Sequence, residues 1–237
     1  MIEPVPSVAP DSPGNVATAE RSRVAVWDLP VRAVHWLIVG LLVGLIVTGK
    51  LGNEWLLWHM RFGQTMLVLV VFRVIWGFVG SRNARFSTFL YRPSDVVRYS
   101  RSLFGAHEVH ATHNPLGGWM VVLLLVALLA QATMGLFTND DALWGGPLSE
   151  RVTKTTSDAV SWYHRRFWWV IVALSSLHIG AVLAYLVLLK DNLIVPMMTG
   201  YKQLPEGIAS PENAAASTVK ATTLLVLCWL AVWYALS

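Results

Sequence analysis

WYHRRFWWVIVALSSLHIG, residues 162–180, decides how this chain is read. Its two histidines, His164 and His178, are 14 residues apart. On an α-helix that interval advances about 21 Å and completes almost four turns. Both imidazoles therefore project from one helix face, separated by much of the thickness of a bilayer core. Ionisable side chains at membrane depth are uncommon and mark function.

The rest of the chain supplies the membrane. Of 237 residues, 55% are hydrophobic and only 14% are charged, against roughly a quarter charged in an average soluble domain. The mean hydropathy is +0.53. Five apolar stretches, at about 33–50, 62–80, 116–137, 167–189 and 219–236, approach the ~20 residues that a spanning helix needs. They lack the polar stripe at helical period that a soluble bundle would carry. The fold expected is an all-α integral membrane protein: a four-helix transmembrane bundle over 25–200 and a fifth, C-terminal transmembrane helix over 219–237. Trp55, Trp58, Trp144, Trp162, Trp168 and Trp169 cluster near the ends of these spans, where an amphipathic ring suits the headgroup layer.

Arg82, Arg85, Arg92, Arg98 and Arg101 place the loop between spans two and three on the cytoplasmic side of the membrane, and with it the N-terminus. The pI near 9.4 reflects such flanking cations and does not argue for nucleic acid. Residues 1–24, rich in Pro, Ser, Ala and Gly without an apolar core, read as a disordered tail and not as a cleavable signal. Residues 201–218 read as a linker. Cys228 is the single cysteine and no CxxCH motif occurs, so any haem is held without thioether bonds.

Following the chain through the membrane gives each histidine a depth. His35 opens span one on the cytoplasmic side, and His59 comes just before span two on the far side. His164 opens span four on that far side, with His178 deeper towards the cytoplasm. The four divide into an inner pair, His35 with His178, and an outer pair, His59 with His164. Two imidazoles on opposite faces of a porphyrin fill both axial positions of iron, which suits outer-sphere electron transfer. The bland alternative for each is an interfacial histidine held by a hydrogen bond.

Arg73, 14 residues beyond His59 in the same apolar run, lies near the depth of the inner pair. It reads either as the partner of a haem propionate or as a cation snorkelling to the headgroups. Trp76 is either a wall against a flat cofactor or plain core. Gly40, Gly44, Gly49, Gly77, Gly135 and Gly180 allow close approach of a macrocycle or of another helix. His107, His110 and His113, in HEVHATHNP, do not converge on one metal at helical spacing and read as solvated loop residues. His113, followed by Asn114 and Pro115, marks the entry to span three, where a proline at a helix start is well tolerated.

VWDLPVRAVHW (26–36), WHMRFGQTMLVLVVFRVIWG (58–77), HNPLGGWMVVLLLVALLAQATMGLF (113–137) and the His164–His178 pair together resemble the bacterial cytochrome b561 family, which includes the cytochrome b subunits of nickel–iron hydrogenases. The resemblance covers roughly 25–200. It implies two non-covalently bound b haems with bis-histidine ligation, held by His35, His59, His164 and His178. It also implies electron transfer between the membrane quinone pool and a periplasmic redox protein such as a hydrogenase or a c-type cytochrome. A standalone superoxide or quinol oxidoreductase, approached through Arg165 and Arg166, and a haem-free anchor or transporter are the competing readings. No residues are assigned to a quinone site.

Overall fold

The computed structural model describes residues 21–102, 112–141, 144–205 and 216–237. In chain order these form β1 (Arg21–Ala25), α1 (Leu29–Leu51), α2 (Leu56–Val79), α3 (Phe86–Phe89), α4 (Pro93–Ser102), α5 (Pro115–Gly135), α6 (Lys154–Val187), α7 (Ile194–Thr199), β2 (Tyr201–Pro205) and α8 (Thr218–Leu236). Helices α1, α2, α5, α6 and α8 are long and apolar enough to cross a membrane. The five expected spans are present.

Their starts are set by capping, not by the apolar runs. Asp28 caps α1, its Oδ1 accepting from Val31 N at 2.7 Å, and Pro30 sits in the first turn where its missing N–H is harmless. Asn114 caps α5 through Gly117 N, with Pro115 following. Thr153 caps α6, so that helix begins at Lys154, well before the apolar stretch, and His164 lies inside it. His59 likewise falls within α2, not ahead of it.

Helix α2 is the centre of the bundle. It packs on α1, α5 and α8, while α5 packs on α6. One apolar cluster joins Val31 and Val34 of α1 to Val68, Phe72 and Trp76 of α2 and Ala221 and Cys228 of α8. A second joins Met66 and Val70 of α2 to Leu125 and Leu128 of α5 and Ile171 of α6. Half of the apolar window of α2 is buried, against about a tenth in α6 and α8. Leu37, Val43, Leu177, Ile179, Leu183 and Trp229 accordingly point outward, as lipid-facing side chains must. Helices α1 and α6 form no comparable packed contact, leaving a cleft between them.

The end of the bundle where α1 begins is covered by a two-stranded antiparallel ribbon. β1 pairs with β2 in the register Ser22↔Leu204 and Val24↔Lys202. The carbonyl of Gly200 accepts from Val26 N and Trp27 N, and Asn83 Nδ2 donates to the Val26 carbonyl at 3.0 Å. Gly200 closes α7 at φ +89°, a left-handed conformation that suits glycine. Lys202 and Asp191 form an ion pair at 2.9 Å beneath the ribbon.

This corrects two boundaries. Residues 21–24, assigned above to a disordered tail, and residues 201–205, assigned to a linker, are paired strands. Five-residue segments of mixed polarity carry no periodic signal, and each finds its partner far away in the sequence. The remainder of the expected tail (1–20) and most of the linker (206–215) lie outside the described residues, as do His107 and His110.

Candidate functional site

Four histidines from three spans line two levels of the bundle. At the end far from the ribbon, His59 of α2 and His164 of α6 face each other with ring centroids 6.2 Å apart and planes at 88°. Each ring is fixed through one nitrogen. His59 Nδ1 lies 3.0 Å from the Leu45 carbonyl and 3.3 Å from Thr48 Oγ1, and His164 Nδ1 lies 3.1 Å from the Gln131 carbonyl. A carbonyl accepts only, so each Nδ1 carries the proton and each Nε2 keeps its lone pair, the state in which imidazole binds a metal.

A metal bound by both rings would need a bond of about 2 Å to each nitrogen. Adding half an imidazole on either side gives a centroid spacing of about 6 Å, which the observed pair matches. Among the described residues no group of three or more His, Cys, Asp or Glu side chains is placed to hold a bare metal ion. Two imidazoles without a third His, Cys, Asp or Glu donor beside them among the described residues would suit a metal already held in a macrocycle, such as the iron of a haem, better than a bare ion.

The space is present. A cavity of about 480 Å³ is bounded by His59, His164, Leu45, Met60, Leu128 and Trp168, among others, within the 300–1,000 Å³ range of cofactor sites. Two of its lining residues are in contact, Lys50 Nζ lying 4.1 Å from the centroid of the Trp168 ring. Glycines back both imidazoles. A Cβ on Gly49 would lie 3.0 Å from His59 Cε1, and one on Gly135 would lie 3.1 Å from His164 Cε1. Gly44 and Gly77 instead admit Phe62 and Phe86, which is side-chain packing between elements.

At the ribbon end, His35 of α1 and His178 of α6 lie within electrostatic range of each other. His35 Nδ1 is buried without a hydrogen-bond partner, and the ring meets Trp36 edge-on. A Cβ on Gly40 or Gly180, in the same two helices, would meet nothing within 4 Å, so there is open space beside both. His178 and His164 share α6, as the 14-residue interval requires.

Arg73 and Trp76, each read two ways from the sequence, are both buried in the fold. Arg73 is buried, with Nη1 donating at 3.4 Å to the Ala84 carbonyl and the guanidinium 5.5 Å from the Phe86 ring centroid. It does not snorkel. Among the described residues it has no carboxylate within ion-pair distance. Trp76 is core: it is 1% exposed, stacks on Phe72 and donates Nε1 to Asp28 Oδ2 at 3.1 Å.

His113 departs from the solvated-loop reading. It is half-buried, packed against the rings of Trp27 and Phe89 at centroid distances of 4.6 and 4.4 Å. Its HEVHATHNP surroundings look like a loop, and only the folded chain brings those rings to it.

A helical membrane protein with one pair of histidines in ring contact beside a cavity, and a second pair within electrostatic range at the other end, is the class that fold and site define. The profile of the prokaryotic cytochrome b561 family matches residues 26–200, and the chain belongs to that family. It is a multi-pass membrane cytochrome of b type, a component of electron transport. Relatives named as probable Ni/Fe-hydrogenase B-type cytochrome subunits occur in Bradyrhizobium diazoefficiens (24% identical, covering 83% of this chain and 92% of the relative) and Rhizobium leguminosarum bv. viciae (26% identical, 82% and 94%). No solved structure matches the chain significantly. Helix α8 lies beyond the family match.

Proposed function

We propose that the chain is a di-haem electron conduit, with one b haem held by His59 and His164 and the other by His35 and His178. The observation that carries this reading is the outer pair. Two imidazoles at 6.2 Å, each with Nδ1 turned to a carbonyl, border a cavity of cofactor size. Bis-histidine iron has no open coordination position, so the bound haem supplies reversible one-electron chemistry. The protein's part is to fix ring orientation through Leu45 and Gln131 and to exclude water with apolar walls. It also sets the distance between sites through the rigid α6.

In this reading the ribbon end faces the cytoplasm of the inner membrane, because the arginine-rich segment 82–101 lies there. The far end then meets a periplasmic redox partner, for which the names of the relatives make a hydrogenase the leading candidate. Quinone is the membrane-side partner. Purified protein should contain two haems per chain with reduced-minus-oxidised spectra of b type; a single haem, or none, would sink the di-haem reading. Arg165 borders the outer cavity and favours one alternative, direct reaction with a small anion such as superoxide. Turnover of superoxide by the isolated chain would support that alternative over partner-bound transfer.

The glycines give an independent check on ligand geometry. Gly135→Ala and Gly49→Ala should each disturb the outer haem, seen as an altered absorption band or partial haem loss, because the new methyl crowds an imidazole. Gly40→Ala, whose methyl meets only open space, should leave that haem untouched. Equal behaviour of all three variants would contradict the assignment.

A further inference from the structure

Two polar groups at the ribbon end remain without adequate protein partners. Arg73 is a buried cation whose hydrogen bond to Ala84 is long and whose ring contact with Phe86 is distant. The field of Asp28 reaches it, but that carboxylate is hydrogen-bonded to Val31 N and Trp76 Nε1 and forms no ion pair with it, and a guanidinium in a membrane-spanning helix is disfavoured unless an anion meets it directly. The second group is the His113 imidazole, whose Nδ1 is buried with no hydrogen-bond partner. Arg73 and His178 both lie within electrostatic range of it.

His113 is held firmly in place. The rings of Trp27 and Phe89 both pack against its ring in tilted contacts. The next residue, Asn114, caps α5 through Oδ1 and donates Nδ2 to the Tyr185 hydroxyl at 2.6 Å. Tyr185 lies two helical turns beyond His178 on α6 and shares a 2.7 Å hydrogen bond with the Tyr99 hydroxyl. The loop bearing His113 is thus tied to the helix bearing His178. Burial, with Arg73 and His178 nearby, pushes the His113 imidazole down to about 3, so the ring is neutral at pH 7. A neutral imidazole keeps one N–H to donate.

We propose that His113 is a positioning residue which, together with Arg73, binds a propionate of the haem at the ribbon end. This rests on the reading that His35 and His178 hold that haem. A preset cation and a preset neutral donor, both desolvated, form the two halves of a carboxylate site. Their function is to fix the orientation of the macrocycle and to raise its potential, because a neutralised propionate opposes the ferric charge less.

Optical redox titration of the full chain with both haems bound tests this, the ribbon-end haem being the one that His178→Ala removes. His113→Leu should lower the midpoint potential of that haem alone. A roughly tenfold fall in its reduced-to-oxidised ratio at fixed potential, about 59 mV for one electron, is expected. His113→Gln, which keeps an N–H donor, should recover most of the shift, and Arg73→Gln should lower the same potential further. Should His113→Leu fail to fold, His113→Phe refills the space against Trp27 and Phe89 without a donor and carries the same expectation. Unmoved potentials with two haems retained, or equal shifts in the Gln and Leu variants, would show that His113 only packs. Wild-type protein with fewer than two haems would overturn the di-haem reading as well.

Discussion

His59→Ala and His164→Ala are expected to remove the same haem, and His35→Ala and His178→Ala the other. Each single variant should halve the haem bound per chain, leaving one centre with its spectrum unchanged. The outer pair makes the sharper case. With one imidazole gone, the remaining nitrogen holds iron from one side only, and the former ligand site becomes an unfilled gap. Because His164 and His178 share α6, the double variant should lose both haems while the helices persist, as far-ultraviolet circular dichroism would show. Haem extraction and difference spectra of the four variants measure this. If His59→Ala and His178→Ala emptied the same site, the pairing by depth would be wrong. Retention of two haems in His164→Ala would remove the ligand assignment altogether.

How much of this could be read without the fold depends on which residues carry periodic signal. The five spans were legible because an apolar run of about 20 residues matches the thickness of a bilayer core and little else. The α6 histidines were legible because 14 residues is a helical interval. The depth pairs are brought together in the fold, His59 with His164 in ring-to-ring proximity and His35 with His178 in electrostatic range. What escaped is non-local. The β1–β2 ribbon joins short segments from distant parts of the chain, and neither strand alternates strongly. His113 was hidden for the same reason: its polar neighbours suggest water, whereas Trp27 and Phe89 arrive from elsewhere in the sequence. Its position along the chain was legible. HNP directly before an apolar run did put His113 at the entrance to span three, with a helix-starting proline after it, but nothing local announces the two rings that bury it there.

Asp28→Ala is expected to produce the largest loss of stability among substitutions outside the histidine pairs. Asp28 is 8% exposed and uses both oxygens, Oδ1 on Val31 N and Oδ2 on Trp76 Nε1. Removing the cap of α1 costs about 1 kcal/mol. Leaving the indole N–H of Trp76 buried and unpaired adds about 1–3 kcal/mol, for a total of about 2–4 kcal/mol. The damage would not stay at the cap. Trp76 stacks on Phe72 within the cluster joining α1, α2 and α8, and Asp28 is the carboxylate whose field reaches Arg73. Asp28→Asn should behave differently, since asparagine caps as well as aspartate and its amide oxygen can serve one of the two donors. A thermal unfolding series in detergent should therefore order the proteins as wild type, then Asp28→Asn, then Asp28→Ala, with a drop of several degrees for the last. An alanine variant as stable as wild type would mean that the ribbon and α7, which also hold the start of α1 through Gly200 and Met198, carry this end of the bundle without the cap.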